Sequence, residues 1–193
     1  MTRGVSERVA FESKWIGECR AGDMAAWRTL YEGHLPLVYR VARRMAVPES
    51  DLRDLCQEVF LRVYRGLGHF RGEAQFSTWL YRIVLHEVAR AGRARSVRNA
   101  LLSLIGRPDP APIPDEQLAR AQASAALAAL LARIRPRQRE VFVLFELEEL
   151  SLDQIAGVLG CPLETVRSRL RHARAEFQRL RRQHRLVTEG ESR

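Results

Sequence analysis

Lysine is all but absent from this chain. Of its 32 basic residues one, Lys14, is a lysine, and the rest are arginines. The planar guanidinium fork suits phosphates and base edges, although a coding bias produces the same imbalance. Cysteine is scarce as well: Cys19, Cys56 and Cys161 lie far apart with no C-x-x-C pair. That spacing excludes a disulfide scaffold and a zinc site and fits a reducing compartment. The longest nearly apolar run, Ala123 to Ala132, falls well short of the ~20 residues a membrane-crossing helix needs. With no apolar signal core at the N-terminus either, a cytoplasmic chain without membrane insertion is expected. Strand-type alternation and Asn-Gly or Asp-Gly hairpin turns are missing. So are a phosphate-cradling glycine loop, a metal-ligand cluster and a nucleophile triad, and the five histidines are scattered. No catalytic residue, metal or cofactor is expected, and the chain reads as a non-enzyme.

What remains is helical and basic. At 193 residues and 46% hydrophobic, the chain can build one ordinary core or two small ones. The net charge of +9 favours a polyanionic partner. Helical spacing runs from Asp23 to Val97 and again from Leu118 to Leu186. Between them Pro108, Pro110, Pro112 and Pro114 stand at every second position, which denies helix and sheet hydrogen bonds and implies an extended tether. The fold class is therefore all-α: two small helical domains joined by a Pro-rich linker. The boundaries are an N-terminal extension at 1–22, a first domain at 23–98, a linker at 99–117, a second domain at 118–186 and a tail at 187–193.

Charge is unevenly spread. Tyr81 to Arg98 holds five Arg and one Glu, and Leu163 to Leu186 holds eight Arg and two Glu. Glu49 to Glu58, in contrast, holds four acids and one Arg. A single uniform polyanion-binding surface has no use for that acidic patch.

The second domain reads as a helix-turn-helix. Ser151 and Gln154 form a capping box, with Leu150 stapling against Ile155. Ile155, Ala156 and Leu159 supply the inner face of the first helix, Gly160 ends it, and Pro162 helps start the next. Val166, Leu170, Ala173, Phe177 and Leu180 then form one apolar stripe. At 100° per residue Glu164, Arg167, Ser168, Arg171 and His172 face outward, where a recognition helix meets base edges, and Thr165 at the helix start reaches a phosphate. Arg169, Arg174, Arg179, Arg181 and Arg182 read as phosphate or solvent contacts. The plain alternative is a packing unit with a solvated charged face.

In the first domain, Ser50 or Asp51 is expected to cap a helix ending near Gly66, with Leu52, Leu55, Cys56, Val59, Phe60 and Val63 buried. Its polar side carries Asp54, Gln57, Glu58 and Arg65, with Leu61 in the middle. One exposed leucine is ordinary, yet among charges it also fits an apolar anchor with a charged rim. The glycine-punctuated loop from Gly66 to Phe76 follows, and then Ser77 as the expected cap of the helix carrying Trp79 and Arg82. Aromatics interleaved with arginines stack on unpaired bases and hold their backbone, although Phe70, Phe76 and Trp79 serve equally as core, and Phe76 and Trp79 read first as core. Gly66, Gly68 and Gly72 allow a shaped pocket for a base turned out of a duplex, with Arg71, Glu73 and Gln75 offering polar edges.

Five segments, in order, resemble the bacterial extracytoplasmic-function (ECF) sigma factors. They are Leu35-Pro-Leu-Val-Tyr39; Asp54-Leu-Cys-Gln-Glu-Val-Phe-Leu-Arg62; Phe70-Arg-Gly-Glu-Ala-Gln-Phe-Ser-Thr-Trp-Leu-Tyr-Arg-Ile83; Arg135-Pro-Arg-Gln-Arg-Glu-Val141; and Leu150-Ser-Leu-Asp-Gln-Ile-Ala156 through Thr165-Val-Arg-Ser-Arg-Leu170. The resemblance implies a sigma region 2 domain and a sigma region 4 domain. It implies as partners core RNA polymerase (the clamp of the largest subunit and the flap of the second largest), promoter DNA and an anti-sigma factor. It puts Asp54, Gln57, Glu58, Leu61 and Arg62 on the clamp. Phe70, Arg71, Glu73, Gln75, Trp79, Arg82 and His86 fall to minus-ten DNA, and Thr165, Arg167, Ser168, Arg171 and His172 to minus-thirty-five DNA. The chain departs from the family's common run at Val84, Leu85, His86 and Arg90, at Phe145, and at Glu164. A stand-alone helix-turn-helix activator or repressor is the alternative, and it leaves Leu61 and the acidic face without a purpose. A basic module for RNA or anionic lipid is a further one.

Overall fold

The computed structural model describes residues 15–72, 75–102 and 126–190. All its regular elements are helices: α1 at residues 15–20, α2 Met24–Arg44, α3 Glu49–Gly66 with a 3-10 turn at Leu67–His69, α4 Phe76–Leu102, α5 at residues 126–132, α6 Pro136–Phe142 widening into a π-turn at Val143–Leu147, α7 Leu152–Leu159 and α8 Leu163–Gly190.

 The helical fold class therefore holds for the described residues. α4 runs past the expected boundary at residue 98, while residues 103–117 of the expected linker lie outside the described residues.

The helix starts show where local chemistry gave way to tertiary contacts. The Asp23 carboxylate caps α2, accepting from the Ala25 and Ala26 amides at 2.8 and 3.3 Å. Neither Ser50 nor Asp51 caps α3. That helix begins at Glu49 behind the extended Pro48, whose carbonyl accepts from the Asp51 amide. The Ser50 hydroxyl instead donates to the Asp51 carboxylate, which also accepts from Arg95 on α4 at 2.6 Å. Likewise α4 begins at Phe76 rather than after Ser77, and the Gln75 carbonyl accepts from the Thr78 and Trp79 amides.

Helices α2, α3 and α4 pack around Leu30, Val38, Leu52, Val59, Phe76 and Leu80, and the expected stripe of α3 is buried. Trp15, Ile16 and Cys19 of α1 are buried in this core too, so part of the expected extension at 1–22 belongs to the packed unit. Trp27 Nε1 donates to the Cys19 carbonyl at 2.9 Å, and Arg20 Nε to that of Leu67 at 3.1 Å. These bonds fasten α1 to α2 and to the turn after α3.

In the C-terminal half both arms of the Ser151–Gln154 capping box are present, and Gly160 takes the left-handed conformation at φ 60° that closes α7. The buried residues of α7 are Ile155 and Val158; Ala156 and Leu159, expected on the inner face with Ile155, are only half-buried. On α8, Val166, Leu170, Ala173 and Leu180 are buried, and the half-buried Phe177 ring stacks on Phe142 at 4.8 Å. The two halves are not held apart. Helix α4 packs on α7, and the buried apolar side chains of both halves form one contiguous cluster.

Candidate functional site

Asp54, Gln57, Glu58, Leu61 and Arg62 lie exposed along one side of α3. Leu61 is 45% exposed, and Tyr64, one turn further on, is 63% exposed with its ring against Trp27 at 4.9 Å. The sequence reading missed Tyr64, although its three-residue spacing from Leu61 on one helix face was the available signal. Two members of the set are engaged with α4. Glu58 accepts from Arg90 Nη2 at 2.9 Å, and Arg62 donates to Glu87. Glu87 is the buried charged residue at the centre of this seam, and it also accepts from Arg90 Nε at 2.6 Å. Burial by itself raises its pKa. Hydrogen bonds from Arg90 and His86 and the Arg62 charge outweigh that and hold the carboxyl below its ordinary value.

The loop after α3 is built on an aromatic floor. Phe70 is buried with its ring 5.8 Å from Phe76 and 5.3 Å from Trp79; Phe76 is fully buried and Trp79 half-buried. Phe70 thus shapes the loop from inside rather than presenting a free face. Above it opens a recess of about 250 Å³ lined by Phe70, Arg71, Gly72, Thr78, Trp79 and Arg82. Gly72 turns the chain at φ 74°, a conformation that favours glycine. Arg71 and Gln75 are exposed beside it, while Glu73 lies outside the described residues. Arg82 donates through Nε to the Gly157 carbonyl of α7 at 2.9 Å. His86, on the exposed side of α4, stands 3.3 Å from Glu87 through Nδ1.

On α8, Arg167, Arg171 and His172 are exposed and Thr165 and Ser168 half-buried. The helix begins just after Pro162, whose carbonyl accepts from the Thr165 and Val166 amides. Arg167 pairs with Glu164, and the His172 ring sits 2.8 Å from the Ser168 carbonyl. Arg171 makes no ion pair among the described residues. Behind this face Arg174 lies over the Phe145 ring at 5.1 Å and donates to Glu146 at 2.6 Å. Phe145 therefore packs under an arginine.

A residue that no motif marks joins the halves. Glu148, between α6 and α7, has a side chain 1% exposed, and it accepts from Arg40, Arg44 and Tyr81 of the N-terminal half. Burial works against its charge, but the bonds from Arg40 and Tyr81 and the two arginine charges win, leaving its carboxyl below the ordinary value. Burial and the adjacent Glu148 push the Tyr81 hydroxyl well up. Among the described residues no group of His, Cys, Asp and Glu side chains could hold a metal, and no helix is long and apolar enough to cross a membrane.

Two family models match, in order: Sigma-70 region 2 over residues 30–98 and Sigma-70, region 4 over residues 124–177. The chain is 36% identical to the ECF RNA polymerase sigma factor SigE of Mycolicibacterium smegmatis over 81% of its own length and 63% of that protein, so it spans somewhat under two thirds of that relative. It is 33% identical to SigM of Mycobacterium tuberculosis, over 83% of this chain and 79% of that one. Among solved structures, CnrH in complex with the cytosolic domain of CnrY matches with a TM-score of 0.65 and 25% identity, over 86% of this chain and 94% of that one. The fold also matches the sigma factor RpoE solved with the anti-sigma factor NepR from Bartonella quintana, with a TM-score of 0.62 and 22% identity, over 80% and 98% of the two chains. Sigma factors are transcription initiation factors and not enzymes. With both regions matched, in family order, on two helical halves, this chain belongs to the ECF sigma factors of the sigma-70 family.

Proposed function

We propose that the chain binds core RNA polymerase in the bacterial cytoplasm and directs it to promoters, its N-terminal half gripping the clamp and capturing the melted minus-ten strand while α8 reads the minus-thirty-five duplex. The observation that carries this reading is the exposed Leu61–Tyr64 spot on α3, set among Asp54, Gln57 and Glu58. An apolar anchor inside a charged rim is the usual build of a protein interface. A stand-alone DNA-binding protein has no use for it.

The DNA contacts follow from the other two surfaces. The recess between Arg71, Gly72 and Trp79 offers an aromatic wall and guanidinium groups to a base turned out of the stack. Strand separation costs a few kcal/mol per unstacked step, and stacking and phosphate contacts at this recess and along Arg82 and His86 offset it. On α8, Arg167, Ser168, Arg171 and His172 meet base edges in the major groove, and Thr165 meets a phosphate. An anti-sigma factor belongs to the same reading, supported by the likeness to CnrH, which was solved with the cytosolic domain of CnrY. Polymerase supplies the nucleotidyl transfer, and this chain supplies position and base capture.

Run-off transcription with purified core polymerase and this chain, on genomic DNA, tests the reading. Discrete transcripts that require the chain support it; core polymerase that neither binds the chain nor initiates at defined sites overturns it.

A further inference from the structure

The recess between Arg71, Gly72 and Trp79 is held from behind by a helix that does not line it. Arg20, the last residue of α1, donates through Nε to the Leu67 carbonyl at 3.1 Å and through Nη2 to the Phe70 carbonyl. Leu67 opens the 3-10 turn that follows α3, and Phe70 ends it, its amide donating to the Leu67 carbonyl at 3.1 Å. Carbonyls at a helix end lack partners within the helix, and the planar guanidinium fork offers several N–H groups to them at once. Directly after Phe70 come Arg71 and Gly72, which turns the chain at φ 74° along the recess. A bond at the Phe70 carbonyl therefore sets the direction in which that wall leaves the core.

Arg20 is itself fixed in place. Its neighbour Cys19 is buried, and the Cys19 carbonyl accepts from Trp27 Nε1 at 2.9 Å and from the Gly22 amide at 3.1 Å. Gly22 ends α1 in the left-handed conformation at φ 86°, and the Asp23 amide returns to the Glu18 carbonyl at 3.1 Å. At the start of α1 the buried Trp15 ring meets Phe76 edge-on at 5.5 Å. Phe76 in turn lies 5.8 Å from Phe70 and 5.6 Å from Trp79. Helix α1 thus supports the recess twice, through the rings of its floor and through two carbonyls at its edge.

The Arg20 side chain does not fill the core. It is exposed, and Trp15, Ile16 and Cys19 supply the packing of α1. Both of its hydrogen bonds go to the loop, 47 and 50 residues further along the chain. Replacing it leaves the packing of α1 intact and frees the loop.

We propose that Arg20 is a positioning residue for base capture: without touching the base, it holds residues 67–72 in the shape whose recess accepts a base turned out of the stack. The fastening is a property of the chain alone; its effect on base choice rests on the proposed reading of the recess. Residues 15–20 then belong to the promoter-reading machinery, although the sequence sets them apart with the extension.

Two measurements test this. Hydrogen exchange on the full chain, read by mass spectrometry, is expected to be faster over residues 67–72 in Arg20→Gln than in the wild type and unchanged in the middle of α2. Equal exchange over residues 67–72 overturns the fastening. Initiation by core polymerase with the chain is then measured on a promoter found by run-off transcription, with each minus-ten and minus-thirty-five base replaced in turn. Arg20→Gln is expected to initiate about tenfold less on the unaltered promoter, the loss that follows when about a tenth of the molecules keep the competent loop shape. Its preference for the native base is expected to shrink toward one at a minus-ten position, with the minus-thirty-five preferences kept. Arg20→Lys, which retains a charged donor for one carbonyl, is expected to recover part of that preference. A merely destabilised chain loses the same factor on every template and keeps every ratio; that result, or an unchanged minus-ten preference, overturns the positioning role. A wild-type chain that directs no initiation overturns the proposed function and the capture role with it, while hydrogen exchange still decides the fastening.

Discussion

Arg62 of α3 donates to the Glu87 carboxylate of α4, a buried acid meeting an arginine that is 44% exposed. The bond ties the face assigned to polymerase to the helix assigned to the melted strand. Glu87→Ala leaves Arg62 and Arg90 able to turn to water, so the loss is that of charge-assisted hydrogen bonds discounted for exposure, about 1–2 kcal/mol. A urea titration should show a lower midpoint with an unchanged slope; an unchanged midpoint would mean the seam contributes nothing to the fold.

Acid should weaken both carboxylate seams. Glu87 and Glu148 sit below the ordinary carboxyl value of 4.5 in the folded chain. Their contribution is therefore fully present above that value and is lost as pH falls through the lower, folded one. Glu140, pushed up by burial, has the opposite sign: its contribution is present below the ordinary value and is lost as pH rises through the raised one. Urea midpoints measured from roughly pH 5 to pH 3 should fall, and fall less in Glu87→Gln. Equal slopes in wild type and variant would remove Glu87 from the account.

Leu61→Asp places a charge where the interface reading puts its apolar anchor, while the residue's 45% exposure leaves the fold indifferent to the change. A central anchor is worth about 2 kcal/mol or more, a loss of roughly 30-fold or greater in affinity for core polymerase. Tyr64→Ala should weaken binding in the same direction. Undiminished retention of Leu61→Asp in a pull-down with core polymerase would reassign this face.

The helices, the α3 stripe, the capping box and the outward face of α8 were legible in the sequence because periodicity and caps are local. Glu148 was not, since its partners Arg40, Arg44 and Tyr81 come from far along the chain and a lone glutamate near a helix end reads as solvated. The caps of α3 failed for a related reason: Asp51 is drawn to Arg95 on another helix. Phe70 was legible as an aromatic that serves either the core or a strand, and the choice between them was not, because the loop's path over Phe76 and Trp79 is fixed by tertiary packing.

On α8, Arg171 is exposed and lacks an ion pair among the described residues, whereas Arg167 is paired with Glu164. Arg171 is accordingly the better placed of the two for a bidentate base contact. Arg171→Ala should cost about 1–3 kcal/mol on the specific minus-thirty-five duplex and little on random duplex. Equal losses on both in a gel-shift titration would make it a phosphate contact.

The end of α2 offers a test that involves no partner. The Val47 amide donates to the Ala42 carbonyl at 3.1 Å and the Ala46 amide to that of Arg43 at 2.9 Å, the Schellman arrangement, with Ala46 at φ 61°. An alanine there carries the left-handed penalty of roughly 1–2 kcal/mol, while glycine would lose about 0.5–1 kcal/mol more in chain entropy on folding. The penalty is the larger of the two, so Ala46→Gly should stabilise the chain by about 0.5 kcal/mol. In a protein of this size that raises the melting temperature by roughly 1–2 °C. A lower melting temperature would show that the turn is held by side-chain packing at Ala46 rather than strained by it.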